Sequence, residues 1–154
     1  MAPAQWRQVD LLSDLHLGPD TPGTLARLGR HLVETPANAV LLLGDIFEVW
    51  VGDDARQEAF EAGVVRLLRQ ASERLDLFFM HGNRDFLVGA DMLAACGMTA
   101  LPDPTVLEAF GQRWLLVHGE AQCLDDTAYQ AFRAQVRSPE WQTQLLAQPL
   151  QARQ

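Results

Sequence analysis

Apolar residues occur along the chain in short runs, and four of these runs are followed directly by a polar cluster. The runs end at residues 12, 43, 80 and 117. A short apolar run bounded by turn residues is typical of a buried β-strand. The pattern therefore predicts strands over residues 8–12, 39–43, 75–80 and 113–117.

Between these runs the spacing of apolar residues changes to three and four, which is typical of a helix with one buried face. Thr21 followed by Pro22 predicts a helix start, with threonine as N-cap and proline in the first helical position. The predicted helices cover residues 22–35, 55–72 and 88–96, the region from about residue 125, and a last segment that begins at Ser138 and Pro139.

Strands that alternate with helices predict an α/β layer architecture, with parallel strands joined by right-handed crossovers. A further short strand is predicted over Met98–Leu101, and residues 106–110 and 113–117 flank Gly111 and Gln112 as a hairpin. The hairpin departs from a purely parallel arrangement and predicts a mixed sheet. The length of 154 residues and the absence of repeats or linkers predict a single domain, 1–154.

The composition argues against a generic nucleic-acid-binding protein, which would present a basic face. Twelve basic residues, all arginine, stand against twenty acidic residues, for a net charge of -8. An acidic surface suits a site that collects cations, although it also promotes solubility in general. Two cysteines without metal-ligand spacing, no signal-peptide pattern and no apolar stretch of about 18 residues favour a cytoplasmic protein.

The polar clusters that follow the strands contain residue types that bind divalent metals. Ligands of open α/β sheets collect just beyond the carboxyl ends of the strands, so these side chains are expected to meet. Each residue alone has an ordinary explanation, such as a solvated loop, a helix cap or a structural histidine. The five together favour a metal site made of carboxylate, imidazole and amide donors. They are Asp14, His16, Asp45, Asn83 and His118.

The same clusters contain charged residues with more than one interpretation. Arg84 offers a planar fork for phosphate oxygens, and His81 or Asp85 is either a proton donor or a group that holds other ligands. Asp53 and Asp54 are interpreted as caps of the helix that follows them. Two divalent ions would activate water and stabilise phosphoryl oxygens. The hypothesis from the residues alone is metal-assisted hydrolysis of a phosphate ester or anhydride.

In order and type, these motifs resemble the successive blocks of the calcineurin-like metallophosphoesterases. Residues 42–54, 81–89 and 125–133 are most similar to those members that hydrolyse UDP-2,3-diacylglucosamine in lipid A biosynthesis. The resemblance implies an α-β-β-α sandwich of mixed sheets. The motifs that carry it are Asp14-Leu15-His16, Gly44-Asp45, Gly82-Asn83-Arg84-Asp85 and His118-Gly119.

The resemblance also implies roles for individual residues. Two divalent ions are implied, usually Mn²⁺, with other divalent metals as alternatives. Asp14 and His16 would bind the first ion, Asp45 would bridge the two, and Asn83 with His118 would bind the second. These five metal ligands would also be the catalytic residues.

The implied reaction is metal-dependent hydrolysis of the diphosphate of UDP-2,3-diacylglucosamine to UMP and 2,3-diacylglucosamine 1-phosphate. Arg84, with Asn83, would contact the diphosphate, and Asp126 and Tyr129 would lie near the glucosamine. The implied location is cytoplasmic, on the inner face of the inner membrane, where the UDP-linked lipid substrate lies.

The sequence departs from the family pattern at two places. Glu120 occupies a position where aspartate is more usual. The family continues with a helical lid, whose start resembles residues 138–154, and then with a Gly-His-x-His block that adds one histidine to each metal. The chain is therefore expected to be a C-terminally truncated portion with weak or no activity alone. Exposed apolar surface of the truncated sheet predicts self-association.

Two other functions remain open at this point. One is a generic phosphodiesterase or phosphomonoesterase of the same superfamily. The other is a non-catalytic, self-associating remnant that binds one metal or none. A Rossmann-type nucleotide-binding module is a poorer choice, because no GxGxxG motif follows the first strand.

Overall fold

The computed structural model of the protein describes residues 2–154; Met1, the first residue of the predicted domain, lies outside the described residues. The strands are β1 (Val9–Leu12), β2 (Ala39–Leu43), β3 (Asp76–Met80), β4 (Met98–Leu101), β5 (Thr105–Ala109) and β6 (Gln112–Leu116). The helices are α1 (Pro22–Glu34), α2 (Ala59–Ser72), α3 (Ala90–Cys96), α4 (Thr127–Val136), α5 (Pro139–Leu146) and α6 (Leu150–Arg153). Two 3₁₀ helices cover Asp53–Gln57 and Glu120–Gln122.

The first four strands form one parallel sheet in the order β1-β2-β3-β4. Strands β5 and β6 form a separate antiparallel hairpin, in which Leu107 pairs with Trp114. The predicted α/β class is confirmed, with the parallel and antiparallel strands in different sheets. Because β1, β2 and β3 run in the same direction, the loops that follow them leave the same edge of the sheet.

Alternation along the strands divides the core into two layers, because successive side chains of a strand point to opposite faces. Val40 and Leu42 of β2 pack with the helices, among them Leu68 of α2. Leu41 faces the other way and packs in a smaller cluster with Leu116 of the hairpin. The smaller cluster also contains Trp6, Ala39 and Met80.

The segment before α2 differs from the prediction. The predicted helix begins at residue 55, whereas the structure has a 3₁₀ helix at Asp53–Gln57 and starts α2 at Ala59. The predicted capping role of Asp53 and Asp54 for this helix is wrong. Asp53 instead accepts hydrogen bonds from Gly89 N and Met92 N, at 2.8 Å each, and so caps α3. No local pattern indicates this contact, because 36 residues separate Asp53 from Gly89.

The C-terminal helices pack beside the loop that follows β2. Ser138 caps α5 as predicted, since its side chain accepts a hydrogen bond from Trp141 N at 3.3 Å. Arg153 of α6 donates hydrogen bonds to the carbonyl oxygen of Val51 and to the carboxylate of Asp54. Within residues 2–154, no helix combines the length and the apolar character needed to cross a membrane.

Candidate metal centre

The loops after β1 and β2 lie side by side beyond the sheet and extend its hydrogen bonding. Asp14 N donates to Gly44 O at 3.1 Å, and His16 N donates to Asp45 O at 3.0 Å. Leu17 N donates to Ile46 O at 2.8 Å. These bonds fix the two predicted ligand loops against each other before any side-chain contact is considered.

Three predicted metal ligands have left-handed backbone conformations. The φ angles are 55° at Asp14, 48° at His16 and 53° at Asp45. Positive φ is uncommon outside glycine and concentrates at functional sites. The three side chains turn towards one another, and one ligand atom from each lies within 4.8 Å of the other two.

The loop after β3 approaches the same place at two glycines. A Cβ atom on Gly44 would collide with Gly82 and with the ring of His118. A Cβ atom on Gly82 would collide with the carboxylate and the amide nitrogen of Asp45. Only the absence of side chains at both positions lets the two loops come together.

Asp85 joins these two loops from inside the protein. Its side chain is fully buried, and its carboxylate accepts hydrogen bonds from Gly82 N and Ile46 N at 2.8 Å each. Asp45 N and Phe47 N donate longer bonds of 3.3 and 3.4 Å. Burial raises the pKa of Asp85, while the backbone donors oppose that rise. Of the two roles open for Asp85, these contacts favour that of a group that holds the ligand loops.

His81 does not face the ligand cluster. Its Nε2 atom lies 2.7 Å from the carbonyl oxygen of Val88, and its ring packs edge-on against Phe79. A carbonyl oxygen only accepts, so Nε2 carries the proton. These contacts tie His81 to the segment before α3.

His118 directs its Nε2 atom towards the other predicted ligands. Its Nδ1 atom lies 2.9 Å from the carbonyl oxygen of Leu43 and must donate to it. In the neutral ring, Nε2 then holds a lone pair. That lone pair lies 3.3 Å from Asn83 Oδ1 and 3.6 Å from Asp45 Oδ1. A bound cation, or a proton on Nε2, stabilises such a convergence of oxygen acceptors on one ring nitrogen.

Glu48 lies between a predicted metal ligand and the predicted phosphate-binding arginine. Its Oε2 atom is 2.9 Å from His16 Nδ1, although out of line for a hydrogen bond. Its Oε1 atom is 3.5 Å from Arg84 Nη1. Arg84 and Glu48 are both about half exposed, so their ion pair is weak in itself.

Helix α4 forms a basic pocket beside Asn83. The cavity has a volume of about 190 Å³. Burial, followed by the charge of Glu120, raises the pKa of Tyr129. Burial lowers the pKa of Arg137, although the charge of Glu120 opposes that change. The pocket is lined by Asn83, Arg84, Phe86, Tyr129, Phe132, Arg133, Val136 and Arg137.

The structure thus brings the five predicted metal ligands together, with Arg84 and Tyr129 nearby. Asp126 lies at the exposed start of α4, where its carboxylate accepts a hydrogen bond from Tyr129 N at 2.9 Å. Arg133 and Arg137 also line the basic pocket, although neither was predicted as a site residue. Their spacing of four residues on a predicted helix was the available signal, because it places both on one helix face.

Comparisons with known proteins give a consistent result. A family model described as calcineurin-like phosphoesterase matches residues 8–150. A protein named UDP-2,3-diacylglucosamine hydrolase from Xanthomonas axonopodis pv. citri is 48% identical over 145 residues, which cover 92% of this chain and 58% of that protein. The protein of the same name from Bordetella pertussis is 47% identical, and the match covers 93% of this chain and 57% of that protein. The chain thus spans less than two thirds of the length of these curated relatives.

Two solved structures share the fold. The nuclease MPE of Pseudomonas putida is 31% identical, with a TM-score of 0.50, and the match covers 64% of this chain and 49% of that one. A protein of unknown function from Aquifex aeolicus is 17% identical, also with a TM-score of 0.50, covering 89% of this chain and 69% of that one.

Proposed function

The chain belongs to the calcineurin-like phosphoesterase family, and on this premise we propose that it forms the metal-binding part of a UDP-2,3-diacylglucosamine hydrolase. The reaction would release UMP and 2,3-diacylglucosamine 1-phosphate and would serve lipid A biosynthesis. The observation that carries the metal-dependent part is the cluster of Asp14, His16 and Asp45, in which one ligand atom from each residue lies within 4.8 Å of the others. The substrate is inferred from the relatives at 47–48% identity.

The donor set fits two divalent cations, and we propose Mn²⁺. Asp14 and His16 would hold the first ion and Asp45 would bridge, since each has one ligand atom in the 4.8 Å cluster. Asn83 and His118 would hold the second ion. The hydrogen bond from His118 Nδ1 to Leu43 O supports this role, because it fixes the tautomer that presents Nε2 as a ligand.

When bound, divalent cations would supply a polarised phosphoryl group and an activated water for attack on phosphorus. The protein groups would orient the diphosphate for that attack. Arg84 is half exposed and pairs only at 3.5 Å with Glu48, so its guanidinium can turn to phosphate oxygens. Such a fork recognises two oxygens at once.

The sugar end of the substrate would lie along α4. Tyr129 lines the same cavity as Asn83 and Arg84. A sugar attached to the diphosphate would therefore lie next to Tyr129 when Asn83 and Arg84 bind the phosphate groups. Asp126 caps the same helix one turn earlier. We propose that Tyr129 and Asp126 contact the glucosamine.

Further proposals concern the chain as a whole. Residues 1–154 would form one phosphoesterase domain in which residues 138–154 begin a helical lid. The protein would act in the cytoplasm, docked on the inner face of the inner membrane where its lipid substrate lies. We also propose association between copies through the apolar hairpin, because Leu115 of β6 is 66% exposed on a strand at the edge of its sheet.

The proposal is tested by manganese titration and by product analysis on the same protein. Calorimetry should find Mn²⁺ binding, and Asp45→Asn should weaken it by more than tenfold because the shared carboxylate is lost. Asp20→Asn is the matched control, since Asp20 is exposed and lies outside the ligand cluster. Absence of Mn²⁺ binding in the wild-type chain would remove the proposal.

Product analysis then separates the lipid-specific reaction from a generic one. UDP-2,3-diacylglucosamine should give UMP only when manganese is present, and only slowly, because weak activity is expected of this portion alone; chromatography detects the product. Bis-p-nitrophenyl phosphate and p-nitrophenyl phosphate serve as generic substrates. Turnover of the generic substrates alone would replace the lipid-specific proposal with a general phosphoesterase.

A further inference from the structure

Glu120 lies at the centre of a group of ionic contacts behind the metal site. Its Oε1 atom accepts a hydrogen bond from Arg133 Nε at 3.0 Å and one from Arg137 Nη2 at 2.9 Å. Its side chain is only 8% exposed. Its second oxygen, Oε2, is buried and has no hydrogen-bond partner within residues 2–154.

Arg137 carries the contact on to the loop after β3. The same Nη2 atom that binds Glu120 also donates to the carbonyl oxygen of Gly82 at 2.8 Å. Nη2 has two hydrogens, so it can serve both acceptors at once. The guanidinium lies 5.1 Å from the centre of the Phe86 ring, which limits its rotation.

These contacts close a ring through the proposed second half of the metal site. Glu120 follows His118 by two residues, and Gly82 immediately precedes Asn83. Asn83 Oδ1 in turn lies 3.3 Å from His118 Nε2. The two proposed ligands are thus linked in two ways. Their side chains approach each other directly, and their backbones are joined indirectly through Glu120, Arg137 and the carbonyl group of Gly82.

We propose that Glu120 is a positioning residue that sets the separation of Asn83 and His118 by holding Arg137 against the carbonyl group of Gly82. The inference rests on the proposed function in so far as Asn83 and His118 form a metal-binding pair. A charged oxygen left buried without a donor is costly. Two charge-assisted hydrogen bonds to Oε1 offset that cost, and the one from Arg137 holds its guanidinium where it reaches the carbonyl oxygen of Gly82.

The first test needs no metal. Hydrogen–deuterium exchange is measured at the amides of residues 82–84 in the metal-free protein. Glu120→Ala and Arg137→Ala should each increase exchange there by about tenfold, because a charge-assisted hydrogen bond is lost. The double variant should show no further increase, because both changes break the same link.

The second test is the affinity for manganese. One of the two Mn²⁺ binding steps should lose about tenfold in affinity, and the same step in both single variants, while the other step stays unchanged. Glu120→Gln keeps the Oε1 acceptor and should restore most of the lost affinity. Arg133→Ala removes the other partner of Glu120 but leaves the link to Gly82, so exchange at residues 82–84 should stay close to that of the wild type.

Glu108→Ala provides the matched control, because Glu108 also pairs with an arginine Nε, that of Arg113, at 2.9 Å on the distant hairpin. A lower melting temperature with unchanged exchange at residues 82–84 in Glu120→Ala and Arg137→Ala would overturn the inference. If Glu120→Ala does not fold, Glu120→Asp takes its place, because the shorter side chain draws the carboxylate away from Arg137 and should also raise exchange at residues 82–84. Failure of the wild-type chain to bind manganese would count against the proposed function, while the exchange result still decides the role of Glu120.

Discussion

Gly82 packs so closely against Asp45 that a Cβ atom at position 82 would overlap with both the carboxylate and the backbone amide of Asp45. Gly82→Ala must therefore push apart the loops after β2 and β3. We expect a loss of stability of about 1–3 kcal/mol, as for other overpacked sites, and at least tenfold weaker Mn²⁺ binding. Chemical denaturation and calorimetry measure the two effects.

Gly23→Ala is the control for this change. A Cβ atom on Gly23 meets nothing within 4 Å, and Gly23 lies in α1. Alanine is the better helix former by about 0.5–1 kcal/mol, so this variant should be as stable as the wild type or more so. Equal behaviour of the two variants would contradict the close approach at Gly82.

Asp85→Asn replaces only one carboxylate oxygen by an NH₂ group, yet it should destabilise the protein. An amide offers one acceptor oxygen, and its NH₂ group would face backbone N–H donors that the carboxylate now accepts. We expect a loss of about 1–3 kcal/mol in the free energy of unfolding. Asp76→Asn is the control substitution. Asp76 accepts one hydrogen bond, from Trp6 Nε1, and an amide oxygen can accept the same bond. A cost no larger at position 85 than at position 76 would argue against a holding role for Asp85.

The contribution of α6 docking to stability should depend on pH, because it includes the ion pair between Asp54 and Arg153. A hydrogen bond from Arg153 lowers the pKa of Asp54 below its ordinary value of 3.8. A carboxyl group with a lowered folded-state pKa contributes fully to stability above its unfolded pKa, and that contribution is lost as pH falls through the folded value. Asp54→Asn should therefore have a lower melting temperature than the wild type at pH 7, and the gap should close below pH 3.8.

Asp125→Asn makes the same charge change on an exposed residue and should leave the melting temperature nearly unchanged. A difference between wild type and Asp54→Asn that stays constant from pH 7 to acid would disprove the role of the ion pair with Arg153.

Association between copies should require the apolar face of the hairpin. Leu115 is 66% exposed on β6, and its cross-strand partner Val106 is 46% exposed on the same face of the hairpin. Leu115→Glu should shift the sedimentation profile towards the monomer at concentrations where the wild type associates. Leu124→Glu adds the same charge at another exposed leucine, off the hairpin, and should not. A wild-type chain that stays monomeric throughout would contradict the proposal.

The elements that carry a local signal were predictable from the sequence. The buried strands β2 and β3 follow from uninterrupted apolar runs, and Ser138 with Pro139 marks the start of α5. The ligand cluster follows from one rule of topology, because parallel strands deliver their following loops to one edge of the sheet.

The supporting contacts were not predictable, because they join residues far apart in the chain. Asp53 caps α3 rather than the adjacent helix, and Arg153 binds a loop about a hundred residues earlier. The sequence indicated only that Glu120 occupies a position where aspartate is more usual in the family, and gave no sign of its partners. Its partners Arg133 and Arg137 lie on a helix whose orientation depends on the packed structure.

The left-handed backbone at Asp14, His16 and Asp45 restricts which sequences can build this site. Aspartate, asparagine and histidine are the side-chain-bearing residues that adopt that conformation most readily, and other types pay roughly 1–2 kcal/mol. Of those three types, only aspartate brings a negative charge. The backbone conformation therefore limits positions 14 and 45 to very few residue types, whichever metal ion binds. Variation at these two positions across natural sequences should be small even where the metal differs.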